Sequence, residues 1–114
     1  MGGEGKNIHV KFKIMADFSK AQIQEVWEKA TTVAGNDPNV FRKDRCTAWI
    51  ARSEYGNRNS KWGWEIDHII PETKGGSSLV SNLQPLHWEN NAAKEDGPLV
   101  CAFISNGTKN IKRK

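Results

Sequence analysis

The sequence predicts one small α+β domain, and three observations support this prediction. With 114 residues the chain can bury one modest core and is too short for two. Apolar residues alternate with polar ones over 7–14, as in a half-buried strand, and recur at helical spacing over 19–33. Residues 64–96 then have the pattern strand, loop, strand, helix. We therefore treat residues 1–114 as a single domain.

The first predicted element is a strand at residues 7–14, NIHVKFKI. Its apolar residues occupy alternate positions and would share one face: Ile8, Val10, Phe12 and Ile14. Residues 1–6 are rich in glycine, and we expect them to be flexible.

A helix is predicted next. Ser19 and Gln22 have the spacing of a capping box. Apolar residues then recur every three or four positions and should face the core: Ile23, Val26, Trp27, Ala30 and Val33. The sequence Gly-Asn-Asp-Pro at residues 35–38 should end this helix.

The segment FRKDRCTAWIARSEYGNRNSKWGW, residues 41–64, mixes basic and aromatic residues. Trp49 and Ile50 predict a short buried element, and Gly56, Asn57 and Asn59 predict a turn before Trp62. This composition suits either packing or contact with phosphates and sugars.

The C-terminal part contains one apolar run, LVCAFI, followed by the polar and basic residues 106–114, which we expect to be flexible. Cys46 and Cys101 form no CxxC pair and no dense pattern, so we interpret both as reduced core residues.

Charge and hydropathy bear on partners and location. Lys and Arg number 17 against 13 Asp and Glu, and the net charge of +4 favours an anionic partner. No apolar run has the length of a membrane span, and the N-terminus lacks the apolar core of a signal peptide. These features predict a soluble, cytoplasmic protein with no membrane partner.

One stretch carries an ionisable pair in an apolar setting. In EIDHII, residues 65–70, Asp67 and His68 lie between Ile66 and Ile69 in what is otherwise a strand pattern. Burying two ionisable side chains is costly, so their presence needs a reason.

The surrounding residues supply that reason. DHIIP, GG, NLQPLHWENN and AAK occur in an order and spacing that resemble the HNH endonuclease motif, the active site of the ββα-metal nucleases. The resemblance covers residues 64–96 and is specific, because several separated elements must coincide. It implies a ββα-metal hairpin and helix as the catalytic core.

The resemblance also implies residue roles. His68 would be the general base, since a neutral imidazole can accept a proton from water. Asp67 and Asn91 would hold one Mg²⁺ or Mn²⁺ through oxygen atoms. Asn82 matches the middle letter of the motif and would orient the loop that carries the base. On a regular strand Asp67 and His68 point to opposite faces, so the strand end has to bring both to one site.

Simpler interpretations stay open for these residues. Asp67 and His68 could be a buried hydrogen-bonded pair without chemistry, and Asn91 could be a helix cap. His87 is a candidate for packing or for the metal site. Lys94 could contact a phosphate or be a solvated lysine.

The sequence departs from the family in one respect. Many HNH domains bind structural zinc through two CxxC pairs. Here Trp49 stands three residues after Cys46, where the first pair would have its second cysteine, and His87 and Asn90 occupy the positions of the second pair. We expect no structural zinc. Tryptophans concentrated around the motif are candidates for core packing or base stacking: Trp49, Trp62, Trp64 and Trp88.

The predicted function is metal-dependent hydrolysis of DNA, with RNA left open and with a monomer and a homodimer both possible. Basic residues are candidate phosphate contacts: Arg42, Lys43, Arg45, Arg52, Arg58, Lys74 and Lys94. The alternative function is a basic binding module that keeps the fold and does not cut.

Overall fold

The computed structural model describes residues 18–114. The strand predicted at 7–14 and the flexible segment predicted at 1–6 lie outside the described residues.

The first described element is helix α1, Lys20–Trp27. The capping box is confirmed: the Ser19 hydroxyl accepts from the Gln22 N–H at 3.1 Å, and the Gln22 side chain accepts from the Ser19 N–H at 3.0 Å. The helix ends before the predicted Gly-Asn-Asp-Pro stop. Thr31 instead exchanges two backbone hydrogen bonds with Lys43, so pairing with the next strand replaces another helical turn.

Six strands form three antiparallel pairs within residues 18–114. The pairs are β1 Phe41–Lys43 with β2 Trp49–Ala51, β3 Trp64–His68 with β4 Leu83–His87, and β5 Phe103–Asn106 with β6 Lys109–Lys112. Helix α2, Trp88–Lys94, follows β4 directly. Short 3₁₀ turns lie between the strands: Arg52–Glu54, Glu72–Lys74 and Val80–Asn82. The protein is a small mixed α/β domain with antiparallel strands, and the order of elements predicted for residues 64–96 agrees with the structure.

The core lies between α1 and the β3–β4 pair. Trp27 and Trp64 are fully buried, and their ring centroids are 5.3 Å apart. Ile66 and Leu83 belong to the same cluster. Since side chains alternate along a strand, Trp64 and Ile66 face this core and leave the opposite face of β3 to α2.

The prediction of a flexible tail at 106–114 differs from the structure, in which β5 and β6 form a hairpin. Its two-residue turn begins at Gly107, whose φ of 65° favours glycine. The Asn110 side chain accepts from the Trp49 N–H at 2.7 Å and donates to the Trp49 carbonyl at 2.9 Å. These contacts dock the hairpin against β2, and the Asn-Gly pair before the turn was the sequence signal for it.

The interpretation of both cysteines as reduced is wrong for this structure. Cys46 and Cys101 form a disulfide, with their Cα atoms 5.3 Å apart and a sequence separation of 55 residues. Docking of the hairpin brings Cys101 beside the turn between β1 and β2. Such long-range proximity leaves no local sequence signal.

Across residues 18–114, no helix combines the length and apolar character needed to cross a membrane.

Candidate active site

The end of β3, the loop after it and the end of α2 surround a shallow pocket. Three of the predicted site residues, Asp67, His68 and Asn91, border it. The complete lining is Ile66, Asp67, His68, Pro71, Glu72, Asn91, Glu95 and Asp96. The fold therefore brings together the residues that the motif singled out.

Two pairs of side chains fix α2 across β3. Glu65 and Asp67 lie two residues apart on the strand and share a face, and Asn91 and Lys94 lie three apart on the helix and share a face. The Asn91 amide donates to Glu65 Oε1 at 2.7 Å. Lys94 Nζ lies 3.4 Å from Asp67 Oδ1. The two carboxylates thus set where the helix residues lie relative to the pocket.

Asp67 and Lys94 form a buried ion pair, each only 5% exposed. Asp67 Oδ2 also accepts from Gln84 Nε2 at 2.9 Å, across the strand pair. Lys94 donates to the His68 carbonyl at 3.1 Å. The interpretation of Lys94 as a solvated lysine is therefore wrong: its ammonium compensates a buried carboxylate, which would otherwise be costly to bury.

The His68 imidazole lies against the loop that follows β3. Its Nε2 is 3.0 Å from Ser78 Oγ and 3.7 Å from Glu72 Oε2. The ring centroid of Phe18 is 6.1 Å away. His68 and Asp67 have different neighbours, as expected for opposite faces of a strand, yet both border the pocket because the strand ends there.

Asn82 closes that loop. Its Nδ2 donates to the carbonyls of Ile70 and Ser77, at 3.0 and 2.7 Å, and its Oδ1 accepts from the Ile70 N–H at 2.9 Å. A Cβ on Gly76 would lie 1.7 Å from the Ile70 oxygen, so the loop requires glycine there. These contacts fit the loop-orienting role that the resemblance implies for Asn82.

Sequence reasoning missed Glu65 as part of this site. Its side chain is fully buried and accepts two hydrogen bonds from Arg58, at 2.6 and 2.8 Å, besides the one from Asn91. The bond to Glu65 raises the pKa of Arg58. Burial and the Glu65 charge raise the pKa of Tyr55 to about 12. The available signal was the spacing E-x-D, which puts Glu65 and Asp67 on one strand face.

His87 caps the N-terminus of α2. Its Nδ1 accepts from the Glu89 N–H at 3.0 Å, so Nε2 carries the proton and donates to the Lys61 carbonyl at 2.8 Å. Burial lowers the pKa of His87. Because both ring nitrogens bond to protein groups away from the pocket, the contacts favour the packing interpretation over metal binding.

Asp44 holds the same end of α2 and was not singled out from the sequence. Its Oδ1 accepts from the Cys46 and Ala48 N–H groups, and its Oδ2 from the His87 N–H and Asn90 Nδ2, all between 2.8 and 3.0 Å. Burial raises the pKa of Asp44. An aspartate that begins a turn can be recognised from the local sequence, but no sequence pattern indicates its contact with α2.

Besides Lys94, three of the predicted phosphate contacts have partners inside the protein. Arg42 donates to three backbone carbonyls. Arg52 Nε donates to the Gln24 side chain at 2.9 Å, and Arg58 pairs with Glu65. These guanidinium groups contribute to the structure, which the mixed basic and aromatic composition of the segment did not reveal.

The remaining three candidate phosphate contacts differ in exposure. Arg45 and Lys74 are exposed. Lys43 is half-buried, with its Nζ 4.8 Å from the centre of the Trp49 ring. Lys74 lies two residues after Glu72, which lines the pocket.

The donor atoms at the pocket suit a hard cation. Within residues 18–114 no group of three or more His, Cys, Asp or Glu side chains could hold a metal ion. The motif needs fewer, because one carboxylate and one amide oxygen, with water and substrate phosphate, can complete a magnesium shell. Asp67 and Asn91 are the candidate oxygen donors for such a pair, and the Lys94 ammonium lies 3.4 Å from the Asp67 carboxylate.

Comparison with known families agrees with this geometry. Residues 54–97 match the family model described as HNH endonuclease. The matched segment contains Asp67, His68, Asn82 and Asn91. No curated protein and no solved structure matches the chain.

Proposed function

We propose that this protein is a metal-dependent endonuclease that hydrolyses DNA phosphodiester bonds, because residues 54–97 match the HNH endonuclease family model. The family match points to a nuclease or nucleic-acid-related function. The observation that carries the proposal further is that Asp67, His68 and Asn91 border one pocket inside the matched segment. In this proposal β3, β4 and α2 are the ββα-metal core.

His68 is the proposed general base. Phosphodiester hydrolysis needs a water deprotonated on one side of the phosphorus, and a positioned imidazole can take that proton near neutral pH. Contacts with Ser78 and Glu72 hold the ring beside the pocket. Asn82 supports this arrangement by fixing the loop that carries both residues.

Asp67 and Asn91 are the proposed metal ligands. Members of the HNH family generally use a divalent metal, and Mg²⁺ or Mn²⁺ suits these oxygen donors. A bound divalent ion would neutralise negative charge on the phosphate and the leaving oxygen. Glu65 accepts from the NH₂ group of Asn91, and the amide oxygen is the atom that Asn91 would offer to a cation.

DNA is the proposed substrate, held through its phosphates. The net charge of +4 and the exposed Arg45 and Lys74 support an electrostatic contribution to binding. Affinity should then fall with salt, with a log–log slope of roughly 0.9 per neutralised phosphate. A monomer with one site would nick, whereas a homodimer could cut both strands.

One observation favours the alternative function, a binding module that does not cut. The ammonium of Lys94 already compensates Asp67, so the pocket is stable without a metal. A platform of this kind would bind DNA and leave it intact, and the cleavage experiment below separates the two functions.

The cytoplasmic location predicted from the sequence remains part of the proposal, and the disulfide bears on it. Disulfides persist in oxidising compartments and are rare in the cytosol. A cytoplasmic protein would have to keep Cys46 and Cys101 joined against cellular thiols. Their oxidation state in the cell therefore tests the location directly.

The proposed function is tested by incubating plasmid DNA with the protein and Mg²⁺ or Mn²⁺. The wild type should nick the plasmid, and His68→Ala should cut about 10²- to 10⁴-fold more slowly in single turnover while binding DNA equally well. His87→Asn is the matched control, since it removes the other described histidine and keeps a side chain that can cap α2. DNA binding without nicking by the wild type would establish the non-catalytic module instead.

A further inference from the structure

A second cavity, of about 550 Å³, lies between the turn at 58–62 and the β5–β6 hairpin. We call it the hairpin pocket. The residues that matter for its chemistry are the aromatic Trp62, Trp88 and Phe103 and the basic Arg58, Lys61 and Lys109. Its volume is within the range of small-molecule sites, roughly 300–1,000 Å³.

The walls of the hairpin pocket are held in place by hydrogen bonds. Asn110 pairs with the Trp49 backbone and also donates to the Lys61 carbonyl at 3.2 Å. Trp88 Nε1 donates to the Ser60 carbonyl at 3.0 Å, and His87 donates to Lys61. The turn and the hairpin are thus tied to the same residues, and the cavity is preformed.

The lining suits a flat ring that carries negative charge. Trp62 is 38% exposed, and its ring is steadied by an edge contact with Phe41 at 5.2 Å between centroids. Lys61 and Lys109 contribute two positive charges against one carboxylate, Glu89, while the charge of Arg58 is paired with Glu65. Aromatic faces stack on bases of any sequence, and cations contact phosphates.

We propose that the hairpin pocket binds an unpaired nucleotide, with its base against Trp62 and its phosphate near Lys109 and Lys61. This inference rests on the proposed function and adds a substrate preference, namely single-stranded or locally unpaired nucleic acid. A base inside a duplex is stacked between neighbours and cannot enter such a cavity.

Arg58 connects this cavity to the candidate active site. It lines the hairpin pocket, and its guanidinium donates to Glu65, which in turn accepts from Asn91. The hairpin pocket is thereby linked through side-chain hydrogen bonds to Asn91, the proposed metal ligand.

Binding of a fluorescein-labelled single-stranded oligonucleotide, in EDTA so that nothing is cut, tests this proposal. Trp62→Leu should weaken binding by roughly 5- to 100-fold, the effect of losing one stacked base, whereas Trp62→Phe should retain most of the affinity. Lys109→Ala should weaken binding at low salt. Lys112→Ala is its matched control, because it lies three residues on in the same strand, faces the other side and does not line the cavity.

A second probe separates stacking from charge. An oligonucleotide with the same backbone but no bases should bind the wild type more weakly than the intact oligonucleotide does. It should bind Trp62→Leu and the wild type with equal affinity. Equal binding of the intact and base-free probes, or unchanged binding by both Trp62→Leu and Lys109→Ala, would overturn the proposal. Because no step requires cleavage, these outcomes are independent of whether His68→Ala abolishes nicking.

Discussion

Two buried aspartates hold opposite ends of helix α2, and they differ in what surrounds them. Asp44, 3% exposed, accepts four hydrogen bonds from neutral N–H groups, two in the turn between β1 and β2 and two at the start of the helix. Asp67, 5% exposed, lies beside the Lys94 ammonium near the end of the helix and borders a pocket with His68 and Asn91.

This difference distinguishes Asp44, a carboxylate that stabilises the fold, from Asp67, a candidate active-site carboxylate. Four neutral N–H donors satisfy the Asp44 carboxylate, and burial raises the pKa of its carboxyl group. Asp67 has a cation at 3.4 Å and open space beside it. Burial is common to both, so the neighbouring cation and the pocket are what single out Asp67.

The largest expected effect on stability is at Asp44. Asp44→Ala leaves buried N–H groups of His87 and Asn90 without an acceptor and should lower the free energy of unfolding by about 5 kcal/mol, measured by urea denaturation. Asp37→Ala is the control: it removes an exposed aspartate from a turn and should cost less than about 1 kcal/mol. Equal losses of unfolding free energy for the two variants would show that the buried hydrogen bonds of Asp44 do not make a special contribution to stability.

Substitutions at Asp67 and Lys94 should show that stability and cleavage activity depend on Asp67 for different reasons. Asp67→Asn leaves the Lys94 ammonium buried without its counter-charge and should lower the free energy of unfolding by about 3 kcal/mol. Adding Lys94→Met should restore most of that stability, because neither charge then remains. Cleavage should stay low in the double variant. If cleavage returned together with stability, Asp67 would be structural in the same sense as Asp44.

The smallest effect is a pH dependence at the Asp44 end, through His87. Burial holds the pKa of folded His87 below 6.5, so the unfolded chain takes up a proton first as the pH falls. Protonation of His87 therefore does not reduce the free energy of unfolding above pH 6.5. Below pH 6.5 it lowers the free energy of unfolding by at most about 1.4 kcal/mol per pH unit. His87→Asn should flatten this slope relative to the wild type. The same slope in both proteins would place the titrating group elsewhere.

Local patterns in the sequence predicted the elements that local interactions determine. The capping box at Ser19 and Gln22 is present, and β3, β4 and α2 follow in the predicted order. The end of α1 was misplaced because Thr31 pairs with Lys43, a contact between distant residues. The hairpin at the C-terminus was missed although Asn106 and Gly107 signalled a turn.

The site residues divide in the same way. The motif singled out Asp67, His68, Asn82 and Asn91 as candidates. The fold places Asp67, His68 and Asn91 at one pocket and Asn82 in the loop beside it. Glu65 was missed because a glutamate on a strand gives no sign of its partners. The Cys46–Cys101 disulfide and the Asp44 contacts were missed because they join residues far apart in sequence, which no periodicity or spacing encodes.

The most direct test of the comparison is Mn²⁺ binding, followed by the loss of the free-ion EPR signal, to His68→Ala protein with bound, uncut DNA. Adding Asp67→Asn should weaken Mn²⁺ binding by at least about tenfold. Adding Asp44→Asn, which keeps one acceptor oxygen for α2, should leave Mn²⁺ binding unchanged in the fraction that is folded. Undiminished Mn²⁺ binding with Asp67→Asn would contradict the assignment of Asp67 as a metal ligand and, with it, the proposed active site.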